Sequence, residues 1–410
     1  MYAIDGFLCR KKAMQAHPFT PAQIEQFRND TPGAAHIVHL NNAGASLPVS
    51  SVVDTVIQYL QEEALTGGYE AEAKYKQELA DTYTLIGRLI NADPEEIALV
   101  ENASTGWCIA FHGIDFKPGD EILISELEYV TNMIGFLNAE KLYGVKMVVI
   151  PNDEQGNFSL KQLEAAINPK TKLIAVTHVA STTGGLLPAE AIGRIAARHK
   201  VMYLLDACQS VGQMPVDVEA IGCDFLSVTG RKYLRAPRGT GFLYVKQQVQ
   251  DKLKTLFIDG HSIKSISEND YQPLGDAKRF EFYEKNRALT LGLSKAVSYA
   301  LDLGIDQIWE RISHLAALLR SKLGEIAGVQ LHDTGDQLCG IVTFSLSGVN
   351  CQQVKERLAE EHINVSVGLA KSTLLYMNKH QLQNVVRASV HYYNTEAELD
   401  MLCAEIKTLM

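Results

Sequence analysis

Between about residues 50 and 245 the chain alternates two kinds of apolar pattern. Residues 53–64, 75–89 and 189–199 repeat apolar positions at helical spacing. Ser159-Leu160-Lys161-Gln162 is a capping box, and it opens a helix whose stripe is Leu160, Leu163 and Ile167. Between these lie short apolar runs at 97–100, 121–124, 146–150, 173–177, 201–205, 224–228 and 241–245. The second of them follows the turn signal Pro118-Gly119-Asp120. Apolar strands separated by helices predict a parallel sheet covered on both faces. Ligands of such sheets bind past the carboxyl ends of the strands, so polar residues at strand ends are the first candidates for chemistry. After about residue 290 the texture changes. A long helix over 305–323, strands over 340–346 and 386–391, and helices over 352–361 and 399–409 predict a smaller α+β module. A short helix is expected near 21–28, after a poorly specified lead-in.

Composition narrows the functional classes. Of 410 residues, 46% are apolar and 21% charged, enough to bury a full core. The net charge of −10 argues against general nucleic-acid binding. No apolar run reaches the ~18 residues that a bilayer span needs. Arg10, Lys11 and Lys12 have no apolar core after them, so a secretory signal is not expected and the predicted location is cytoplasmic. The seven cysteines (Cys9, Cys108, Cys208, Cys223, Cys339, Cys351 and Cys403) form no CxxC pair. They read as buried small hydrophobes, with neither a zinc site nor a disulfide scaffold.

Two strand-end residues carry the candidate chemistry. Lys232 lies in Thr229-Gly230-Arg231-Lys232, after a predicted buried strand. Desolvation and the adjacent Arg231 would lower its pKa and favour the nucleophilic amine. A solvated basic loop or a phosphate patch is the competing reading. Asp206 closes the run Tyr203-Leu204-Leu205, where a carboxylate is costly to bury without a partner; a helix cap is its plainer role. Together they match the needs of pyridoxal phosphate chemistry. A lysine forms the Schiff base, and an aspartate pairs with the protonated ring nitrogen.

With Asp206-Ala207-Cys208-Gln209 and Thr229-Gly230-Arg231-Lys232…Pro237-Arg238-Gly239-Thr240-Gly241 at this separation, the chain resembles the class V aminotransferases of fold type I. That group contains cysteine desulfurases, selenocysteine lyases and isopenicillin N epimerase-like proteins. The resemblance runs from about His39 to the C-terminus. It implies an α/β fold, with a mostly parallel seven-stranded sheet in a large domain and a smaller α+β C-terminal domain. The implied division is 1–50 as an N-terminal segment packing on the small domain and active site, 51–290 as the cofactor-binding large domain, and 291–410 as the small domain. It implies pyridoxal 5′-phosphate as cofactor, no metal, and a homodimer whose site is completed between subunits.

The same resemblance assigns roles residue by residue. Lys232 matches the Schiff-base lysine and Asp206 the ring-nitrogen partner. Gln209 matches the contact to the ring hydroxyl. Ala103 and Ser104, in Asn102-Ala103-Ser104-Thr105-Gly106, lie where the family holds the phosphate, which suits a helix N-terminus. Thr229 and Arg231 match the remaining phosphate contacts. Tyr129 stands where desulfurases stack a histidine on the ring, which keeps the stacking and loses an acid–base group. His178 matches a strand-end histidine near the cofactor and is taken as catalytic. Arg387 matches the arginine that grips the substrate carboxylate through its planar fork. Asn42 and Asn132 are expected on the substrate side, and Gly67-Gly68-Tyr69 as a mobile loop.

Three departures bear on the reaction. The stretch Val367-Gly368-Leu369-Ala370-Lys371-Ser372-Thr373 lacks the desulfurase cysteine. Tyr283-Glu284-Lys285 replaces a Gly-Thr-Pro through which the partner subunit reaches the phosphate, and Glu284 is expected to turn away towards an arginine. Ser181 stands where asparagine is frequent. The leading expectation is a class V aminotransferase-like enzyme in which Lys232 removes the α-proton of an amino acid or small amine. A C–S lyase working without an enzyme cysteine is the close alternative, and an epimerase the third. From another class comes an anion- or nucleic-acid-binding loop of Arg231, Lys232, Arg235 and Arg238 on an inactive fold. The acidic net charge and the intact Lys232, Asp206 and Gln209 set oppose it.

Overall fold

A computed structural model describes residues 19–410. Cys9, Arg10, Lys11 and Lys12 lie outside the described residues. The central sheet has seven strands: β1 (Ile97–Val100), β2 (Glu121–Ser125), β3 (Lys146–Ile150), β4 (Thr171–Thr177), β5 (Met202–Asp206), β6 (Phe225–Thr229) and β7 (Gly241–Val245). Their order is β1-β7-β6-β5-β4-β2-β3, and only β7 runs against its neighbours. The carboxyl ends of β2, β4, β5 and β6 therefore open on one edge.

Both faces are covered over the inner strands, which is why these are apolar along most of their length, whereas the edge strand β3 is partly exposed. Helices α1 (Ser50–Thr66) and α2 (Lys76–Ile90) precede the sheet. Then α3 (Ala103–Gly113) and α4 (Val130–Tyr143) supply Trp107, Phe111, Met133 and Phe136 to the core over Leu204, Ala175 and Ile124. On the opposite face, α5 (Ala189–His199) and α6 (Arg287–Leu303) bring Ile192, Ile195 and Val297 to Tyr203, Leu205 and Val176. Consecutive residues of β5 thus feed different cores, as the strand period of two requires. The α4 helix has little amphipathic signal because apolar residues also lie on its outer side, where Ile134, Leu137 and Leu142 are exposed.

Helix α6 crosses the boundary expected near residue 290. Its Leu293, Ala296 and Val297 belong to the large core, and its Ala300 to the next one. Gly304, at φ 85, ends it and starts α7 (Ile305–Gly324). The C-terminal sheet is antiparallel: β8 (Val329–Leu331), β9 (Ile341–Leu346), β10 (Ser366–Leu369) and β11 (Asn384–Ser389), in the order β8-β9-β11-β10. The N-terminal segment joins this unit, with Phe19, Phe27 and Val38 in the same core as Phe344 and Val386.

One close approach constrains the packing. A Cβ on Gly193 of α5 would overlap the carbonyl oxygen of Ile221. Both atoms are backbone-fixed, so Gly193→Ala is expected to lower stability by about 3 kcal/mol in chemical denaturation.

Candidate active site

A cavity of about 270 Å³ opens at the carboxyl edge of the sheet. Its wall brings together nine of the predicted residues: Ala103, Ser104, Tyr129, Asn132, Asp206, Gln209, Thr229, Arg231 and Lys232. Asp206 ends β5, Thr229 ends β6, and Lys232 follows in the turn after β6. Asn102 caps α3, its Oδ1 accepting from Thr105 N at 3.0 Å. The cap role falls to Asn102, so the Ser104 hydroxyl at the cavity wall is left for an anion at the helix N-terminus.

Asp206 is buried and held from two sides. Its Oδ1 accepts Cys208 N at 3.0 Å, and its Oδ2 accepts the Asn132 amide at 3.0 Å. Desolvation lowers the pKa of Lys232, Arg231 and Arg387 push the same way, and Asp206 opposes them. The Lys232 ammonium lies 5.9 Å from the centre of the Tyr129 ring. Arg231 reaches back to the Gly44 carbonyl, and Gln209 donates to the Ala43 carbonyl at 3.1 Å, so residues 43–46 close one side.

The remaining predictions fare differently. His178 is buried behind the wall; burial pulls its pKa down to about 4, so it is neutral at pH 7 and does not line the cavity. Its backbone N–H donates to the Asp206 carbonyl at 2.9 Å. Arg387 is half-buried on β11, tied to Ser366 Oγ at 3.0 Å and to the Ser181 carbonyl at 3.3 Å. Asn42 does not reach the cavity. Its amide donates to the Ser389 carbonyl at 2.7 Å and its oxygen accepts from Tyr393 at 2.6 Å, so its side chain joins the N-terminal segment to the small domain. Gly67, at φ 104, is a break between α1 and a short helix Gly68–Lys74 rather than a loop. The basic cluster is not a surface patch, since Arg235 is buried and donates to Leu47 O, Tyr392 and Thr31. Glu284 is exposed; the nearby Arg287 pairs with Glu72 at 2.8 Å instead. Lys285 meets the buried Glu281, which also accepts Leu99 N at 2.6 Å.

Sequence reasoning missed Trp107, Thr177 and Cys208 in the wall, and Glu128 behind it. Trp107 was findable, lying one helical turn beyond Ser104. Thr177 and Cys208 flank strand-end motifs already in view.

The wall also contains orphans. Gln209 Oε1, Ser227 Oγ and Ser181 Oγ are buried with no partner among the described residues, as is His178 Nδ1 behind them. Buried polar atoms are nearly always hydrogen-bonded, so these fit a polar ligand. An aldehyde-bearing pyridine phosphate matches the set: an amine, a carboxylate for a ring nitrogen, donors for a hydroxyl, and a helix N-terminus for a phosphate.

Comparison with known proteins agrees. The profile of the family "Aminotransferase class-V" matches residues 38–402. A probable cysteine desulfurase of Methanothermobacter thermautotrophicus is 31% identical over 386 residues, covering 93% of this chain and 96% of that protein. Another from Pyrococcus abyssi is 27% identical, covering 94% and 97%. Among solved structures, the apo cysteine desulfurase of Thermococcus onnurineus NA1 superposes with a TM-score of 0.89 at 26% identity, covering 96% of this chain and 99% of that one. The complex of the cystine C–S lyase C-DES with cysteine persulfide shares the fold, at 23% identity and a TM-score of 0.84 over 92% and 99% of the chains.

Proposed function

The chain belongs to the class V aminotransferase family and uses pyridoxal 5′-phosphate, and from that premise we propose that it cleaves the carbon–sulfur bond of a cysteine-type amino acid without an enzyme thiol as sulfur acceptor. The observation that carries this reading is a cavity wall that holds Lys232 and Asp206 together, in a chain whose 367–373 segment holds no cysteine. When bound, the cofactor supplies an electron sink conjugated to the substrate's α-carbon.

The chain's own residues do the rest. Lys232 Nζ would hold the cofactor and, as a free amine, would take the α-proton of the substrate. Asp206 holds the ring nitrogen protonated. The α3 N-terminus, Ser104, Thr229 and Arg231 hold the phosphate. Arg387 offers the part of its fork not engaged by Ser366 and Ser181 to the substrate carboxylate. The C–S bond breaks, sulfur leaves with the proton taken from the α-carbon, as hydrogen sulfide from cysteine, a persulfide from cystine or a thiol from an S-conjugate, and the three-carbon remainder takes up water to give pyruvate and ammonia. Cys208 lies on the Asp206 side, and burial pushes its thiol pKa up, so it is a poor sulfur acceptor.

The test is product analysis with L-cysteine, L-cystine and cysteine S-conjugates. Pyruvate and released sulfur in equal amounts, over many turnovers and without a keto acid, are expected. A sulfur-bearing keto acid, formed once per site until an acceptor keto acid is added, would make the enzyme a transaminase instead.

The same reading includes a homodimer. It is supported by Val53, Ile57 and Leu60, which stay 40–50% exposed along one stripe of α1. Light scattering is expected to give twice the chain mass. The six free cysteines among the described residues suit a reducing, cytoplasmic compartment.

A further inference from the structure

Glu128 is a buried carboxylate that the reaction above does not use. It sits beneath the cavity between the ends of β2 and β4. Four donors converge on it. Ser125 Oγ at 2.5 Å and Thr177 N at 3.0 Å donate to Oε1. Thr177 Oγ1 at 2.9 Å and the Asn132 amide nitrogen at 3.5 Å donate to Oε2. That amide nitrogen also lies 3.0 Å from Asp206 Oδ2. It therefore bridges two carboxylates.

This geometry fixes the orientation of Asn132. A carboxylate only accepts, so the amide must present its nitrogen to Glu128. Its second proton then points at Asp206. With the amide reversed, its oxygen would face both carboxylates. Glu128 also precedes Tyr129, whose N–H lies 3.5 Å from Thr177 Oγ1, and Thr177 pairs in register with Asp206 across β4 and β5. One carboxylate thus ties together the ring-stacking residue, the bridging amide and the neighbouring strand end.

We propose that Glu128 is a positioning residue for the cofactor's ring-nitrogen partner: by fixing the Asn132 amide with its nitrogen towards Asp206, it keeps the Asp206 carboxylate hydrogen-bonded and aimed into the cavity. Burial raises the pKa of Glu128 to about 7 against the pull of its hydrogen bonds, with the Asp206 charge a smaller contribution in the same direction as burial. The inference rests on the cofactor assignment.

The test uses the full chain stripped of cofactor and titrated with pyridoxal 5′-phosphate. Trp107 in the wall gives a fluorescence readout; the chain has only 2 tryptophans. Glu128→Gln keeps the volume but turns a donor towards Thr177 and Asn132. Its cofactor affinity is expected to fall about tenfold, the effect of one hydrogen bond to a charged acceptor. The pH midpoint of the bound cofactor's absorbance change is expected to move with it. Asn132→Ala should reproduce both effects, and the double variant should add nothing further.

A purely structural staple predicts another pattern: E128Q loses thermal stability but keeps the wild-type affinity and midpoint. That result would overturn the proposal, as would full additivity with N132A. If E128Q does not fold, E128D is measured in its place. Its shorter arm should give values between wild type and N132A, and a wild-type profile would sink the idea. A wild-type chain that fails to bind the cofactor would instead refute the cofactor assignment, and the proposal with it.

Discussion

Replacing Lys232 with alanine is expected to cut turnover by at least ~10³-fold, because both covalent attachment of the cofactor and removal of the α-proton depend on one amine. Borohydride should no longer fix cofactor to the chain, although the phosphate cradle and Asp206 remain. A pH-dependent stability effect accompanies this loss. Desolvation holds the folded-state pKa of Lys232 below its ordinary value of 10.5. Between those two values the unfolded chain binds more protons than the folded one, so stability rises with pH across that window. Below it, the buried ammonium carries its full cost. K232A removes that cost. The cofactor-free variant should therefore be at least as stable as wild type at pH 7, with the advantage shrinking as pH approaches 10.5. Urea melts at the two ends of the range check the sign. A variant that keeps borohydride-fixed cofactor would move the attachment site elsewhere.

Asp206→Asn is expected to lower kcat by about 10²–10³-fold, the range for losing one preorganised electrostatic partner of the reacting system. The substitution keeps the shape but not the charge. Both oxygens of Asp206 accept N–H groups, from Cys208 and from Asn132, each at 3.0 Å. An asparagine must turn its own NH₂ towards one of those donors, so geometry suffers along with charge. Cofactor binding should survive, weakened, because the phosphate contacts come from other strand ends. Steady-state kinetics and a cofactor titration on the same preparation separate the two effects. A variant with unchanged kcat would remove Asp206 from the ring-nitrogen role.

Much of the fold was legible in the chain itself. The run 241–245 coincides with an observed strand because burial on two faces leaves an unbroken apolar signature, and the helix over 189–199 because it buries one stripe; the edge strand 146–150 is legible from its β-branched residues although it is partly exposed. Helix α4 was not legible, since its apolar residues go nearly all round and blur the period. Strands β8 and β10, of 3 and 4 residues, are too short to carry a pattern and are half-exposed. Among site residues, Lys232, Asp206 and Gln209 stood out by sitting just past strand ends in a distinctive order. Asn42 followed from its place in the N-terminal segment, yet the fold directs its amide to Ser389 and Tyr393. His178 is separated from the wall by the same kind of local decision: its ring is buried behind a strand end rather than beside one.

The sequence by itself determined the chemistry available to this protein. It supplied an amine and a carboxylate after neighbouring buried strands, a capped helix start beside them, and no thiol in the 366–373 segment. Those facts depend on residue identity and strand order, which local patterning encodes. Only the tertiary structure decided which polar groups meet. The bridge from Glu128 through Asn132 to Asp206 joins β2, α4 and β5 across 78 positions of sequence, from 128 to 206. No periodicity records such a contact, because hydrogen-bond direction is fixed by side chains converging in space.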